Sequence, residues 1–323
     1  MNQQISLVGF GSHAQKNIIP AIEKSKVFSL NRIYSRSVGK TTPYGISYPL
    51  DGMFSDEADW IYIASPLSSH VQYTKLALNH GKNAIVEKPL TVDSKAGERL
   101  FNLAEEKGLI LHIVDMYTHH EQFASLKQLL NTTEIKDIVS IEACFCVPEL
   151  HRDNIRYKKD LLGGALYDVG YYPISILKHI FPSLRLVNHC IDFSEKYEVD
   201  IFGEAGFSAN SVECRAKWGI GFNYENFLEI KTDKATYRFD RIFSKGVDVS
   251  ATCLISAHGF EQKLIEYEPE DQFLNMLNFV ATLESSSTFN RETALFFASF
   301  CELLDLHDKQ PSKNKNVDSS NDK

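Results

Sequence analysis

The chain has 323 residues, with 34 basic against 42 acidic side chains and a net charge of −8 with histidine neutral. Hydrophobic residues make up 43% and charged residues 24%, which is ordinary for a folded chain and too apolar for general disorder. The length implies two domains or one large one with an insertion, the acidic balance argues against a broad nucleic-acid or anionic-membrane surface, and no apolar run approaches a membrane span.

The first residues, Met1 to Gln4, lead straight into a strand-like segment, so no signal peptide is expected and the cytoplasm is the expected location. From there to about residue 118 the pattern is strand, turn, helix, repeated. Gln4 to Val8 is a short apolar strand and Ala14 to Lys24 a helix, with Pro20 marking a kink or an early stop. Val27 to Tyr34 reads as a second strand, and Trp60 to Ala64 as a strand buried on both faces. His70 to His80 has helical spacing and ends at Gly81; Asn83 to Val86 is another buried strand. Ser94 to Lys107 is a helix closed by Gly108, and Leu109 to Val114 one more strand. This alternation predicts a doubly wound parallel sheet, the Rossmann arrangement.

The second half changes character. A helix over Gly164 to Ile180 interrupts strands at Ile138 to Val147, Val199 to Phe207, Val212 to Trp218, Phe227 to Lys231, Ala235 to Phe239 and Val247 to Ile255. Strands in close succession predict an α+β domain with an open, mainly antiparallel sheet. Phe273 to Leu283 and Glu292 to Leu306 read as closing helices. The expected domains are therefore 1–118 and 119–309, followed by a polar tail, 310–323, expected to be disordered.

Six cysteines are scattered, at 144, 146, 190, 214, 253 and 301, with no CxxC pair, so free thiols and no metal site are expected. Cys144 and Cys146 stand i,i+2 in a predicted strand and share one sheet face. His119 and His120 are adjacent and lack metal-ligand spacing; their expected place is the domain junction.

Gly9-Phe10-Gly11-Ser12-His13-Ala14 is a G-x-G-x-x-A between a strand and a helix. The first glycine permits a tight turn and the second lets a pyrophosphate approach the backbone. A small third residue lets helix and strand pack closely, while the helix N-terminus offers N–H donors to phosphate. The second strand runs into Ser35-Arg36-Ser37 with no acid to hold a ribose 2′-hydroxyl, and an arginine there can pair with a 2′-phosphate. That favours NADP over NAD.

Two further segments follow parallel strands: Ser65-Pro66-Leu67-Ser68-Ser69-His70 after Ala64, and Glu87-Lys88-Pro89 after Val86. The central helix opens with Gly163-Gly164-Ala165-Leu166-Tyr167-Asp168-Val169-Gly170-Tyr171-Tyr172-Pro173. With the glycine turn, these segments resemble the Gfo/Idh/MocA oxidoreductase family over nearly the whole chain to about residue 305. The resemblance implies an NAD(P)-dependent dehydrogenase or reductase acting on a sugar, polyol or nucleotide-sugar, assembled as a homodimer or homotetramer through its C-terminal sheet.

Carried over position by position, the resemblance places Lys88 at the nicotinamide edge and Asp168 against substrate hydroxyls. It places Tyr172 where many members carry the proton-transferring histidine, as in the branch with glucose–fructose oxidoreductase and dimeric dihydrodiol dehydrogenase. An inositol-dehydrogenase pattern carries an acid three residues further on, where this chain has Ser175.

The residues themselves agree. Asp168 and Tyr172 are i,i+4 on one helical face, and Lys88 lies past the end of a parallel strand, where doubly wound sheets bind ligands. Free tyrosine, with pKa near ~10, is a poor base, so an adjacent ammonium is expected to lower it. Tyr172 would then exchange the proton with help from Lys88 while Asp168 orients the hydroxyl or carbonyl. The dinucleotide would be held by residues 9–14, Ser35, Arg36, Ala64, Ser65, Pro66, His70, Glu87, Lys88 and Pro89.

Arg152, Arg156, Lys158 and Lys159 form a basic loop that a nucleotide-sugar diphosphate could use. Other readings compatible with the fold are a non-catalytic NAD(P)-binding regulator, redox-assisted glycoside cleavage, and reduction of an aromatic diol or pyrrole-like substrate.

Overall fold

The computed structural model describes residues 2–35, 41–42, 45–46, 52, 57–133, 137–257, 259–284 and 290–304. Arg36, expected to read a 2′-phosphate, and the polar tail lie outside the described residues.

Strands β1 (Gln3–Val8), β2 (Phe28–Tyr34), β3 (Trp60–Ile63), β4 (Asn83–Val86) and β5 (Leu111–Ile113) form a five-stranded sheet in the order β2-β1-β3-β4-β5. Every pairing in it is parallel. β3 and β5 are buried at every position, as strands covered on both faces must be. Strand order reverses direction between β1 and β3, and at such a switch point the loops leaving the two strands part and open a crevice.

The helices flanking this sheet are α2 (His70–Asn79), α3 (Ser94–Glu106) and the short α1 (Ile19–Lys24). Asp93 caps α3, its carboxylate accepting the Ala96 N–H at 2.8 Å. The helix predicted over Ala14 to Lys24 divides: Ala14–Ile18 is a π-turn, and α1 starts behind it with Pro20 in its first turn. There the missing proline N–H costs least.

Eight strands form the second sheet. They are β6 (Ile138–Val147), β7 (Arg185–Phe193), β8 (Asp200–Ala209), β9 (Val212–Ile220), β10 (Glu225–Thr232), β11 (Ala235–Asp240), β12 (Ala251–Ala257) and β13 (Lys263–Tyr267). Their order is β13-β12-β11-β10-β6-β9-β8-β7, antiparallel except where β6 pairs with β9. In β9, Val212, Cys214, Ala216, Trp218 and Ile220 are buried while Glu213 and Arg215 are exposed, the alternation of a sheet covered on one face.

That covered face packs on α5 (Tyr171–Ile180), and α4 (Glu121–Thr132) joins the two sheets. Two closing helices tie the halves together. α6 (Gln272–Val280) is linked to α1 through Lys24 and Asp271 at 3.2 Å. α7 (Arg291–Leu304) packs on α3, where Glu302 accepts from the Ser94 N–H at 2.7 Å.

Two strands of the larger sheet and one α-helix are among the elements that were not expected. β7 and β13 are the two edges of the sheet, so their residues show little of the burial alternation that reveals an inner strand. The helix is α4, whose N-cap is His120 rather than a residue type that usually marks a helix start: its Nδ1 accepts the Gln122 N–H at 3.1 Å.

Candidate active site

At the switch point, Gly9 closes the end of β1. Its φ is +104°, and an added Cβ would lie 2.6 Å from the Ala64 carbonyl oxygen at the end of β3. Only glycine fits both constraints. Gly11 differs: an added Cβ there would meet no atom within 4 Å, so nothing in the protein's own packing requires a glycine.

Gly11, Ser12 and His13 are exposed, and Ala14 is buried against the sheet. This is the donor set a dinucleotide pyrophosphate fits, with a helix-entry backbone open to solvent and a small residue behind it. Phe10, Ala64, Ser65 and Pro66 are half-buried around the turn, and Ser35 is buried at the end of β2.

The loops after β3 and β4 are braced from behind. His70, expected to touch the dinucleotide, turns inward: its Nδ1 lies 2.9 Å from the Pro89 carbonyl and its Nε2 2.8 Å from the Ser65 carbonyl. Burial lowers its pKa against the pull of those two carbonyls. The Glu87 carboxylate is likewise engaged within the protein, accepting from His13 Nε2 at 2.9 Å and from the Tyr62 hydroxyl at 2.8 Å. Burial opposes its charge, but His13, Tyr62 and Lys88 outweigh that and its pKa falls. Glu87 thereby links the glycine turn to the Lys88 loop, whose Lys88–Pro89 peptide is cis.

Across the crevice, Gly163 and Gly164 lead into a second π-turn, Leu166–Gly170, from which α5 continues with Pro173 in its first turn. The Gly164 N–H donates to the Arg156 carbonyl at 2.8 Å, tying the basic loop to the helix entry. Asp168 sits in the π-turn and Tyr172 in α5, and Lys88 reaches both. Its ammonium donates to the Asp168 carbonyl oxygen at 2.5 Å and to Oδ1 at 3.3 Å, and stands 4.4 Å from the centre of the Tyr172 ring.

Arg156 closes the group. Its Nε donates to Asp168 Oδ2 and its Nη2 to Oδ1 at 3.0 Å, a two-point grip on the carboxylate. Burial pushes the Asp168 pKa up, but Arg156 and Lys88 together hold it well below the usual carboxylate range. Burial lowers the Lys88 pKa, and the Asp168 charge works against that. Arg156 was read as part of a basic loop left either to a diphosphate or to solvent; in the structure two of its donors serve Asp168. Arg152, Lys158 and Lys159 remain on the same loop, all three exposed.

Tyr172 corrects a second expectation. Its hydroxyl points toward Met116 Sδ at 3.8 Å, and the Lys88 ammonium lies over the face of the ring rather than beside the oxygen. Burial, followed by the Asp168 and Glu87 charges, raises its pKa well above 10. Tyr172 therefore holds its proton: burial and the neighbouring carboxylates prevail over the lowering expected from Lys88.

Sequence reasoning missed the wall around this ring. Phe145 of β6 meets it at 5.2 Å and Phe243, in the loop after β11, at 5.7 Å between ring centres. Ser175 is buried, accepting or donating at 2.8 Å with the Tyr117 hydroxyl and donating to the Tyr172 carbonyl at 3.0 Å, so it holds α5 from behind. His119 and His120 pack at the junction with α6 and the end of β13, against Phe279 and Tyr267.

Comparison with known proteins agrees with this geometry. Residues 4–116 match the family described as "Oxidoreductase family, NAD-binding Rossmann fold", and residues 123–238 match the "GFO/IDH/MocA C-terminal domain". The chain is 26% identical over 298 residues to a dTDP-3,4-didehydro-2,6-dideoxy-alpha-D-glucose 3-reductase of Actinomadura kijaniata, covering 90% of each chain. It is 28% identical over 251 residues to the enzyme of that name from Streptomyces violaceoruber, covering 75% of this chain and 73% of the relative.

Among solved structures it resembles a 3-ketoreductase from Actinomadura kijaniata in complex with NADP and TDP-benzene. The TM-score is 0.88 at 25% identity, over 94% of this chain and 96% of the other. That ketoreductase has also been solved with a tyrosine changed to phenylalanine and with a lysine changed to alanine.

Proposed function

The chain belongs to the Gfo/Idh/MocA family of oxidoreductases, and from that premise we propose that it uses NADPH to reduce the ketone of a nucleotide-linked sugar, with Tyr172 giving the proton. Membership makes it a nicotinamide-dependent oxidoreductase of sugar-type alcohols and ketones. The proposal concerns the direction, the sugar and the residues.

One observation carries the proton donor, and the relatives' reductase activity suggests the direction. Tyr172 is a buried phenol whose pKa lies well above 10, under an ammonium that faces its ring. A group that holds its proton so firmly is a poor base and a suitable acid once an alkoxide begins to form beside it. A bound nicotinamide supplies the hydride. Tyr172 gives its proton to the carbonyl oxygen, and the Lys88 ammonium stabilises the phenolate left behind. Asp168, fixed by Arg156, holds Lys88 in place and presents a carboxylate to a neighbouring sugar hydroxyl.

The remaining assignments follow the same frame. Residues 1–118 would hold the dinucleotide on the Gly9–Ala14 backbone, with Arg36 on a 2′-phosphate. Residues 119–309 would hold the sugar, with Arg152, Lys158 and Lys159 facing its diphosphate. The relatives' thymidine-diphosphate sugars are the substrates to try first.

The outer face of the eight-stranded sheet carries cross-strand ion pairs, among them Glu204 with Arg215 and Glu229 with Arg238. We propose this face as the contact of a homodimer or homotetramer; a monomer by light scattering would refute that. Six free cysteines and a nicotinamide cofactor suit the cytoplasm. No helix among the described residues is long and apolar enough to cross a membrane.

The deciding experiment follows nicotinamide fluorescence during titration with NADPH and NADH, then NADPH oxidation with a dTDP-linked keto sugar and with free sugars. Preferential NADPH binding and turnover of the nucleotide-linked ketone support the reading. Turnover of free sugars alone would remove the nucleotide, and cofactor binding without turnover of either would point to a regulator.

A further inference from the structure

Strand β6 presents different residues on its two faces. Ile141, Ala143 and Phe145 join the main core, and Phe145 meets the Tyr172 ring. Cys144 and Cys146 point to the opposite, outer face, where with Phe227 they form a small cluster of their own. Antiparallel pairing sets Glu225 of β10 opposite Cys146, and parallel pairing sets Lys217 of β9 opposite Cys144. Cys144 Sγ lies 3.9 Å from Cys146 Sγ and 3.6 Å from Glu225 Oε2, and the three ligand atoms are all within 4.8 Å of one another.

The two shorter separations match what a small tetrahedral cation imposes. With metal–sulfur bonds of about 2.3 Å and metal–oxygen bonds of about 2.0 Å, tetrahedral angles place two thiolates about 3.8 Å apart and a thiolate about 3.5 Å from a carboxylate oxygen. We propose that Cys144, Cys146 and Glu225 form a three-ligand site for a thiophilic divalent cation of the zinc class. Both thiols are buried while Glu225 is half-buried.

The charges around the site fit this use. The Cys146 pKa is lowered, first by the Cys144 S–H bond and with help from Lys217, while that same bond and burial raise Cys144. Cation binding displaces the thiol protons of Cys144 and Cys146 to solvent and forms two metal–sulfur bonds, without any change of oxidation state. It must also free Glu225 Oε2 from the Lys217 ammonium, which now lies 3.2 Å away. Lys217 is therefore a competitor for the carboxylate.

That competition supplies a test that misfolding cannot imitate. The chelator-treated full chain is titrated with Cd²⁺, following the ultraviolet thiolate-to-metal band, and with Co²⁺, whose visible bands report tetrahedral geometry; Zn²⁺ is then added in competition. The expected result is one equivalent of tetrahedral Co²⁺ displaced by Zn²⁺. Cys144→Ser and Cys146→Ser should bind at least tenfold more weakly and Glu225→Gln several-fold more weakly. Lys217→Met should bind several-fold more tightly, and Cys190→Ser should match the parent. NADPH affinity, measured alongside, should stay unchanged in all of them. No thiolate band, a band surviving the double Cys144→Ser and Cys146→Ser change, or weaker binding in Lys217→Met would each overturn the proposal. So would rapid loss of both thiols to a disulfide under dilute peroxide with no Cd²⁺ bound beforehand, which would mark a redox pair instead.

Discussion

The two sides of the crevice are built on one plan and finished in opposite ways. On the N-terminal side a glycine turn enters a π-turn, Ala14–Ile18, and then a helix with Pro20 in its first turn. On the C-terminal side Gly163 and Gly164 enter a π-turn, Leu166–Gly170, and then α5 with Pro173 in its first turn. In the first, residues 11–13 are exposed, and Gly11 borders space that no side chain fills. In the second, Asp168 is already gripped by Arg156 and Lys88. One entry is shaped to be completed by a ligand, while the other is assembled before any ligand arrives. Under the proposed function, the contrast assigns recognition of the cofactor to backbone and chemistry to preset side chains.

The sharpest way to break this contrast is to remove the preset side. Tyr172→Phe deletes the proposed proton donor and keeps the ring that Phe145 and Phe243 enclose. Turnover should fall about 10² to 10⁴-fold, the usual worth of a positioned acid, with NADPH affinity nearly unchanged. Lys88→Ala should lose a similar factor. Steady-state NADPH oxidation and a fluorescence titration of the same samples check both, and parental turnover in either variant would end the assignment.

The open side is tested by two glycines that look alike in sequence. Gly9→Ala meets both a positive φ and the Ala64 carbonyl, so it should destabilise the chain by at least about 2 kcal/mol in urea unfolding. Gly11→Ala meets nothing, so its stability should stay within about 0.5 kcal/mol of the parent while NADPH binds at least tenfold more weakly. If both variants lost stability equally, the open side would be as preset as the other, and the contrast would fail.

A smaller change probes the grip on Asp168. Arg156→Met leaves that carboxylate with Lys88 as its remaining ion-pair partner, and turnover should drop about tenfold. Without the guanidinium the Asp168 pKa must rise, so the acid limb of the pH–rate profile should move to higher pH. Arg156→Lys should recover part of both. A drop in turnover with an unmoved acid limb would mean that Arg156 supports the loop alone.

How far the sequence reads the molecule follows from this same division. The parallel sheet, the glycine turn and the inner strands of the second sheet are legible because burial writes itself into local periodicity. The edge strands β7 and β13 are not, because they lack one neighbour and show little alternation. Lys88, Asp168 and Tyr172 could be picked out by motif, but the direction of the Tyr172 hydroxyl could not, since Met116 and Phe243 reach it from distant loops. Arg156 was visible as a charge and misread in role, because its partner is fixed by the Gly164 contact rather than by spacing. Likewise Cys144 and Cys146 announce a shared face, whereas Glu225 joins them through cross-strand register alone.

The mildest test concerns how the preset side is held at its start. Asp200 is buried at the entry of the second π-turn, and its Oδ2 accepts the Leu166 N–H at 2.6 Å. Burial raises its pKa to about 7 even though hydrogen bonds from the turn oppose the shift. An unfolded aspartate titrates near ~3.9, so between about pH 4 and pH 7 the unfolded chain holds fewer protons than the folded one. Stability from this group is therefore greatest below about pH 4, declines as pH rises to about 7, and is level above that. The change Asp200→Asn would keep an acceptor for the Leu166 N–H and carry no charge at any pH. The linkage sets a ceiling of about 4 kcal/mol on the gain, and relaxation around a buried charge brings the expected value to about 1–2 kcal/mol. The variant should thus unfold at higher urea than the parent at about pH 8 and show almost no advantage near about pH 4. An advantage of the same size at both pH values, or a loss at the higher one, would mean that the turn's N–H groups favour the anion, and that this side of the crevice rests on a charge rather than on its neutralisation.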